Sequence, residues 1–298
     1  MKQNLVLFLT LLLLCSTAEA RRKVGHVVLI GLDGWGAYSV PKAHDIPNLQ
    51  WLISHGSCTL KKRSVFKTES AINWASMFNG APTEMHGYTN WNSRVPEVPS
   101  AALSEDGIYP TIFYLLRKQR PSSEIGVAAE WDGIKYLVDT LALNYNGLAS
   151  NYERDPEQLT RMAEQYIKQK KPTLFAVCYD QIDHTGHADG HDTPAYYATL
   201  ARIDIQIGRI MKALKESGIW DDTVIIVTAD HGGVGKSHGG MTLLETETPF
   251  IVYGKGIKEG FTITDTVIQY DTAATIAELL GLKRPQCWRG LPIYSIFK

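Results

Sequence analysis

The chain has 298 residues, 44% hydrophobic and 20% charged, with a formal net charge of −1. This is ordinary globular composition, enough for one large domain or two small ones. The near-neutral balance gives no basic surface for a nucleic-acid polymer or an anionic membrane.

Lys2 precedes an apolar run over 5–14 that ends in Ala18-Glu19-Ala20. A charged start, a short apolar core and an A-x-A site predict a signal peptide over 1–20 and a secreted or periplasmic mature chain. The run is short for a membrane span, and no later segment reaches that length. Residues 21–298 show no clean linker and are expected to form a single domain. The apolar pattern predicts strands over 26–32, 124–128, 173–178, 223–228 and 249–253. Helices are predicted over 47–55, 111–119, 156–169, 194–216 and 271–280. Asp155 is the expected N-cap of the 156–169 helix, and Asp192 or Thr193 that of the next, with Pro194 in its first turn and Gly218 closing it. The less regular region 88–151, rich in Pro, Ser and Asn, is expected to be a cap or an elaborated edge.

Continuous apolar strands separated by helices specify an α/β fold: a three-layer α/β/α sandwich around a central, mainly parallel sheet. After removal of a signal peptide three cysteines remain, too few for a disulfide framework. Cys178 lies in an apolar run and reads as core, while pairing of Cys58 with Cys287 stays open.

Five of the nine histidines fall between His184 and His238, interleaved with carboxylates and glycines. The segments are Asp183-His184-Thr185-Gly186-His187, Asp230-His231-Gly232-Gly233 and His238-Gly239-Gly240. Imidazole with carboxylate suits a divalent ion, above all zinc. Ligands in parallel sheets gather beyond the carboxyl ends of the strands. Asp33, Asp183 and Asp230 each follow a predicted strand. Asp183 and His187, four apart with Gly186 between, are expected to meet in a tight turn. Asp33, Asp183, His187, Asp230, His231 and His238 are too many ligands for one tetrahedral zinc and suit two. His184 and His191 read as neighbours. Paired metals roughly 4 Å apart suit phosphoryl transfer.

Ser70 supplies a nucleophile. It precedes a helical pattern, so its oxygen and the first helical N–H groups are expected to face one place, favourable to anions. The competing reading is a plain helix cap.

The ordered motifs Leu32-Asp33-Gly34, Ser70-Ala71-Ile72-Asn73-Trp74 with Gly80 and His86-Gly87, then the three His-rich segments, cover nearly the whole mature chain. Together they resemble the alkaline phosphatase superfamily, and within it the type I phosphodiesterase / nucleotide pyrophosphatase branch. The resemblance implies two zinc ions. Asp183, His187 and His238 would hold one, and Asp33, Asp230 and His231 the other, beside Ser70. It implies a small phosphoester substrate and a phospho-Ser70 intermediate. Asn73 matches an Asn common after the nucleophile, contacting phosphoryl oxygen or shaping the turn. His86-Gly87 is a landmark of structural character. The chain departs from the family where an Asn commonly stands five residues after that His. Here it is Trp91, with Asn90 and Asn92 as flanking substitutes for the phosphoryl contact.

Arg94, Lys67 and Lys236 lie near the motifs, but none makes a compelling case for a monoester. Trp74, Trp91 and Tyr88 could line a pocket, which leans the reading toward diesters or pyrophosphates. An alkaline-phosphatase-type monoesterase is the alternative. A sulfatase needs a C/S-x-P-x-R pattern, and Ser70-Ala71-Ile72-Asn73-Trp74 has neither Pro nor Arg. A non-catalytic, metal-stabilised binding protein would not need the nucleophile.

Overall fold

Alternate side chains of the first strand, His26–Leu32 (β1), enter two different cores. Val27 and Leu29 join one; Val28, Ile30 and Leu32 join the other. A strand buried on both faces belongs inside a helix-covered sheet. The computed structural model describes residues 24–298, so the expected signal peptide lies outside the described residues. The remaining strands are Ser57–Arg63 (β2), Ile125–Ala129 (β3), Tyr145–Leu148 (β4), Leu174–Tyr179 (β5), Thr223–Thr228 (β6), Glu247–Gly254 (β7) and Phe261–Thr262 (β8). They form one eight-stranded sheet in the order β4-β3-β5-β1-β6-β7-β2-β8. Only β7 runs against its neighbours.

The main helices are Pro47–His55 (α1), Ser70–Asn79 (α2), Ile112–Gln119 (α3), Gln158–Lys170 (α4), Gln181–Asp189 (α5), Pro194–Glu216 (α6) and Asp271–Leu279 (α7). Trp74 and Phe78 of α2, Phe113 of α3 and Ile276 of α7 pack on one face. Leu49 of α1, Leu159 of α4 and Leu200 and Ile203 of α6 pack on the other. This is the expected α/β/α sandwich, with the mainly parallel sheet as its middle layer.

Several expectations shift. Helix α4 starts at Gln158 with Glu157, not Asp155, as its N-cap; Asp155 pairs with Arg161 instead. Thr193 caps α6, accepting from the Tyr196 N–H. Region 88–151 contributes β3 and β4, so part of it is the sheet's edge rather than a cap. Strand β2 escaped prediction because Lys61, Lys62 and Arg63 mask its pattern. Cys58, Cys178 and Cys287 are all free. Cys58 packs with one core and Cys287 with the other, so the sheet stands between them.

Candidate metal centre and active site

Two neighbouring strands, β1 and β6, end side by side and deliver Asp33 and Asp230-His231 to one edge. Gly31 lets this happen, because a Cβ there would strike the Trp74 ring at 2.1 Å. The Trp74 indole instead slides over the strand and donates to Asp33 Oδ2 at 2.8 Å. Asp230 Oδ1 accepts from the Gly34 and His231 N–H groups at 3.1 and 2.8 Å. Its other oxygen is buried without a hydrogen-bond partner. His231 Nε2 lies 3.4 Å from Asp33 Oδ1 and 3.2 Å from Asp230 Oδ2. Ser70 Oγ is 3.2 Å from the same nitrogen and 3.4 Å from Asp33 Oδ1.

Asp183 and His187 come from α5, after β5. They sit one helical turn apart, not in the expected tight turn, and i,i+4 spacing puts both on one face. Gly34, at φ +71°, has no room for a Cβ, which would lie 2.6 Å from Asp183 Oδ1. His187 Nε2 is 3.1 Å from Asp183 Oδ2 and 3.1 Å from His238 Nε2. His238 Nε2 is 3.9 Å from Asp183 Oδ1. His238 rides on a loop tied to the segment before the nucleophile: Thr68 Oγ1 donates to Gly240 O and accepts from the Gly239 N–H. The rings of His231 and His238 stack at 3.9 Å, which joins the two groups of ligands.

Chemistry of the donor set fits divalent cations. The Nδ1 atoms of His187, His231 and His238 face the carbonyls of Lys236, Gly232 and Thr68. A ring that donates Nδ1–H to a carbonyl presents Nε2 as its free lone pair, and all three Nε2 atoms point inward. Burial pushes the His231 imidazolium down to about 3, so this ring is neutral, the ligating form. Burial, then the charges of Asp230 and Asp183, raises the Asp33 carboxyl well above its ordinary range. Burial and Asp183 push Asp230 up to about 8. Burial opposes ionisation of Asp183 too, but His187 and His191 against it hold that carboxyl well below the usual range. The Asp183 contact pushes His187 up to about 9. Three crowded, buried carboxylates with orphaned oxygens at Asp183 and Asp230 demand positive charge. Donor atoms of Asp33, Asp230 and His231 lie within 4.8 Å of one another, as do those of Asp183, His231 and His238.

Other expected residues fall elsewhere. Ser70 is the first residue of α2, and its cap is Glu69. The Ala71 N–H is taken by Trp91 O, so it does not face Ser70's oxygen as expected. The Asn73 side chain turns to the backbone of Val65, Lys67 and Glu69 and shapes the loop rather than reaching phosphate. Asn90 Oδ1 accepts from the Asn92 N–H. Trp91, between them, lines the cavity in front of Ser70, and neither Asn does. His86 is buried, between Ser76 and Tyr88. His184 packs against Tyr152 and beside Glu153.

Of the residues that support the site, Glu130 and Lys62 were not expected, and His191 was expected only as a neighbour. Glu130, buried at the end of β3, accepts from the N–H groups of Asp180 and Gln181 and from the Gln181 amide, fixing the start of α5. His191 is sandwiched where Gly186 and Gly233 leave space, 3.7 Å from Asp183 Oδ1. Buried Lys62 donates to Ala229 O at 2.7 Å and to Gln269, whose amide reaches Asn73 O. That link ties the β6 end to the nucleophile helix. Glu130 and Lys62 carried no sequence signal, since their partners are distant in the chain. Gly186 and Gly233 were the one hint for His191.

The sequence model of the type I phosphodiesterase / nucleotide pyrophosphatase family matches residues 27–241. The bis(5'-adenosyl)-triphosphatase of Mus musculus is 27% identical over 214 residues, covering 69% of this chain and 46% of that protein. The chain thus spans about half the length of this curated relative. Human ectonucleotide pyrophosphatase / phosphodiesterase 5 superposes with a TM-score of 0.74 at 14% identity, covering 92% of this chain and 100% of that one. A 2-O GAG sulfatase superposes with a TM-score of 0.72 at 14% identity, covering 91% of this chain and 74% of that one. These structures show a shared alkaline-phosphatase-like fold. With a matched segment that runs from β1 past His238, the chain belongs to the type I phosphodiesterase / nucleotide pyrophosphatase family.

Proposed function

We propose that this chain is a secreted dizinc phosphodiesterase that acts through a phosphorylated Ser70. The observation that carries the reading is the position of Ser70 Oγ, 3.2 Å from His231 Nε2 and 3.4 Å from Asp33 Oδ1. The nucleophile thereby shares its space with a complete set of metal donors. Asp33, Asp230 and His231 would hold one zinc and Asp183, His187 and His238 the other. Bound zinc supplies Lewis-acid charge that favours ionised oxygen nucleophiles and stabilises oxyanions.

The residues then do the following. Ser70 Oγ gives up its proton and attacks phosphorus; its bond to phosphorus forms, the bond to the leaving oxygen breaks, and that alkoxide takes up a proton and departs as the alcohol. Water next cleaves phospho-Ser70 and restores the serine. Trp74 and the Gly34 N–H hold Asp33 and Asp230 in place throughout. The Asn73 side chain, donating to the Lys67 and Glu69 carbonyls, holds the turn that presents Ser70.

Among the described residues no lysine or arginine lines the cavity in front of Ser70. A dianionic monoester gains from such cations, so a singly charged diester or pyrophosphate linkage fits better. The family name and the triphosphatase name of the Mus musculus relative agree with this class. The expected secretion rests on the N-terminal sequence, and among the described residues no helix is long and apolar enough to cross a membrane. The Ser70→Ala variant tests the covalent route. It is expected to keep zinc and lose at least about 10³-fold in turnover. Full activity in that variant overturns the phospho-serine step.

A further inference from the structure

Lys62, on β2, is fully buried beneath the site. Strand alternation from buried Thr59 would turn Lys61 inward. The β2–β7 register shifts between Thr59 and Lys62, with one extra residue on β2. That bulge presents Lys62 to the interior instead and leaves Lys61 exposed. Enclosing a lysine is costly unless its donors are used. Here Nζ donates to Ala229 O at 2.7 Å and to Gln269 Oε1. Burial pushes the ammonium down to about 7. Amine and ammonium alike carry N–H donors enough for these two oxygens, so the tie does not depend on charge.

The two acceptors lead to the two halves of the site. Ala229 immediately precedes Asp230 and His231. Gln269, also fully buried, donates from its amide to Asn73 O at 3.2 Å and to Ala229 O at 3.3 Å. Asn73 lies in the first turn of α2, whose first residue is Ser70. Just beyond Lys62, Ser64 Oγ donates to Asp230 O at 2.6 Å, and the Val65 N–H donates to Asn73 Oδ1 at 2.8 Å. The end of β2 thus holds the ligand turn and the nucleophile helix together. Neither Lys62 nor Gln269 is among the residues that line the cavity in front of Ser70. Their contacts bear on where Ser70 Oγ sits relative to Asp33 and His231, and not on how substrate is held.

We propose that Lys62, with Gln269 as its relay, is a positioning residue for the reaction, setting the spacing between the Asp230-His231 turn and the helix that presents Ser70. This rests on the phosphodiesterase reading and adds to it a residue that acts without touching the substrate. Misplacing a reacting atom by about 1 Å costs on the order of 10²-fold in rate.

The test is turnover of bis(4-nitrophenyl) phosphate by zinc-loaded full chain of assayed metal content. Lys62→Met keeps an unbranched side chain and deletes the donor. Its kcat is expected to fall at least about 10-fold, with KM within about 3-fold of the parent and zinc content unchanged. Gln269→Leu breaks the relay from its other end and is expected to lower kcat likewise. The double variant should lose no more than the worse single, because both act through one link. Lys61→Met, at the exposed neighbour, should match the parent. Parental kcat in either folded, zinc-loaded single variant overturns the proposal, and so do additive losses in the double. A loss of stability or zinc with kcat per loaded chain unchanged, the pattern of a merely structural lysine, overturns it too. Should Lys62→Met fail to fold, Gln269→Leu decides. Inertness of the parent with two zinc ions bound sinks the phosphodiesterase reading, whereas parental turnover in the variants sinks only the role of Lys62.

Discussion

His187 and His238 point their Nε2 atoms at each other across 3.1 Å, while the Nδ1 of each ring faces a backbone carbonyl. Two ring nitrogens so placed must share a proton or a cation, and Asp183 is 3.1 Å from the first. Replacing His187 by Ala removes one donor of this group and leaves the Asp33, Asp230 and His231 group intact. His187→Ala is expected to hold about one zinc fewer per chain while staying folded. Metal analysis after gel filtration, with circular dichroism alongside, reads this directly. Unchanged zinc content would remove His187 from the ligand set.

Trp74 orients Asp33 through a single hydrogen bond of 2.8 Å. Trp74→Phe keeps an aromatic ring but deletes the donor together with part of the buried indole. Loss of such an outer partner is expected to weaken zinc binding by about 10–100-fold. A competition titration against a chromogenic chelator measures it. No change would mean that Asp33 is oriented by other contacts.

Glu130 holds two backbone N–H groups at the start of α5, the helix that carries Asp183 and His187. Burial pushes its carboxyl up to about 8, even against those donors. Glu130→Ala leaves the donors unpaired and is expected to cost about 2–3 kcal/mol of stability. Denaturant unfolding checks the figure. Activity should fall with it, because the helix start that sets the Asp183 position loosens.

His86 gives a pH dependence away from the metal donors. Burial pushes its imidazolium down to about 3, against roughly 6.5 in an unfolded chain. Between those values the unfolded state binds a proton that the folded state refuses. Stability therefore falls as pH drops from about 6.5 toward 3. Unfolding curves at a series of pH values should show a shallower acid loss in His86→Gln than in the parent. Parallel curves would contradict the assignment.

Much of this was legible because the parallel strands are continuously apolar. The strands β1 and β6 and the helices α1 and α6 stand where periodicity puts them. Strand ends then place Asp33 and Asp230 without further information. What could not be read was contact between distant segments. Lys62 looks like a surface charge until β2 is seen to carry it beneath Ala229. Asn73 resembles a substrate contact until its amide is seen to be spent on the loop. The tight turn expected at Asp183 is a helix, because Gly186 serves there to admit the His191 ring and not to bend the chain. Cys58 and Cys287 show the same limit: spacing does not say on which face of the sheet each one lies.

The proposed function joins a two-metal donor set and Ser70 in the hydrolysis of phosphoesters. The most direct test is turnover of bis(4-nitrophenyl) phosphate, a 4-nitrophenyl monoester, a dinucleotide and a sulfate ester by purified protein of assayed metal content. Hydrolysis of the diester at two zinc ions per chain, its loss on chelation, its recovery on adding zinc, and no action on the sulfate ester are expected. Protein that binds two zinc ions and leaves every phosphorus ester intact would contradict it.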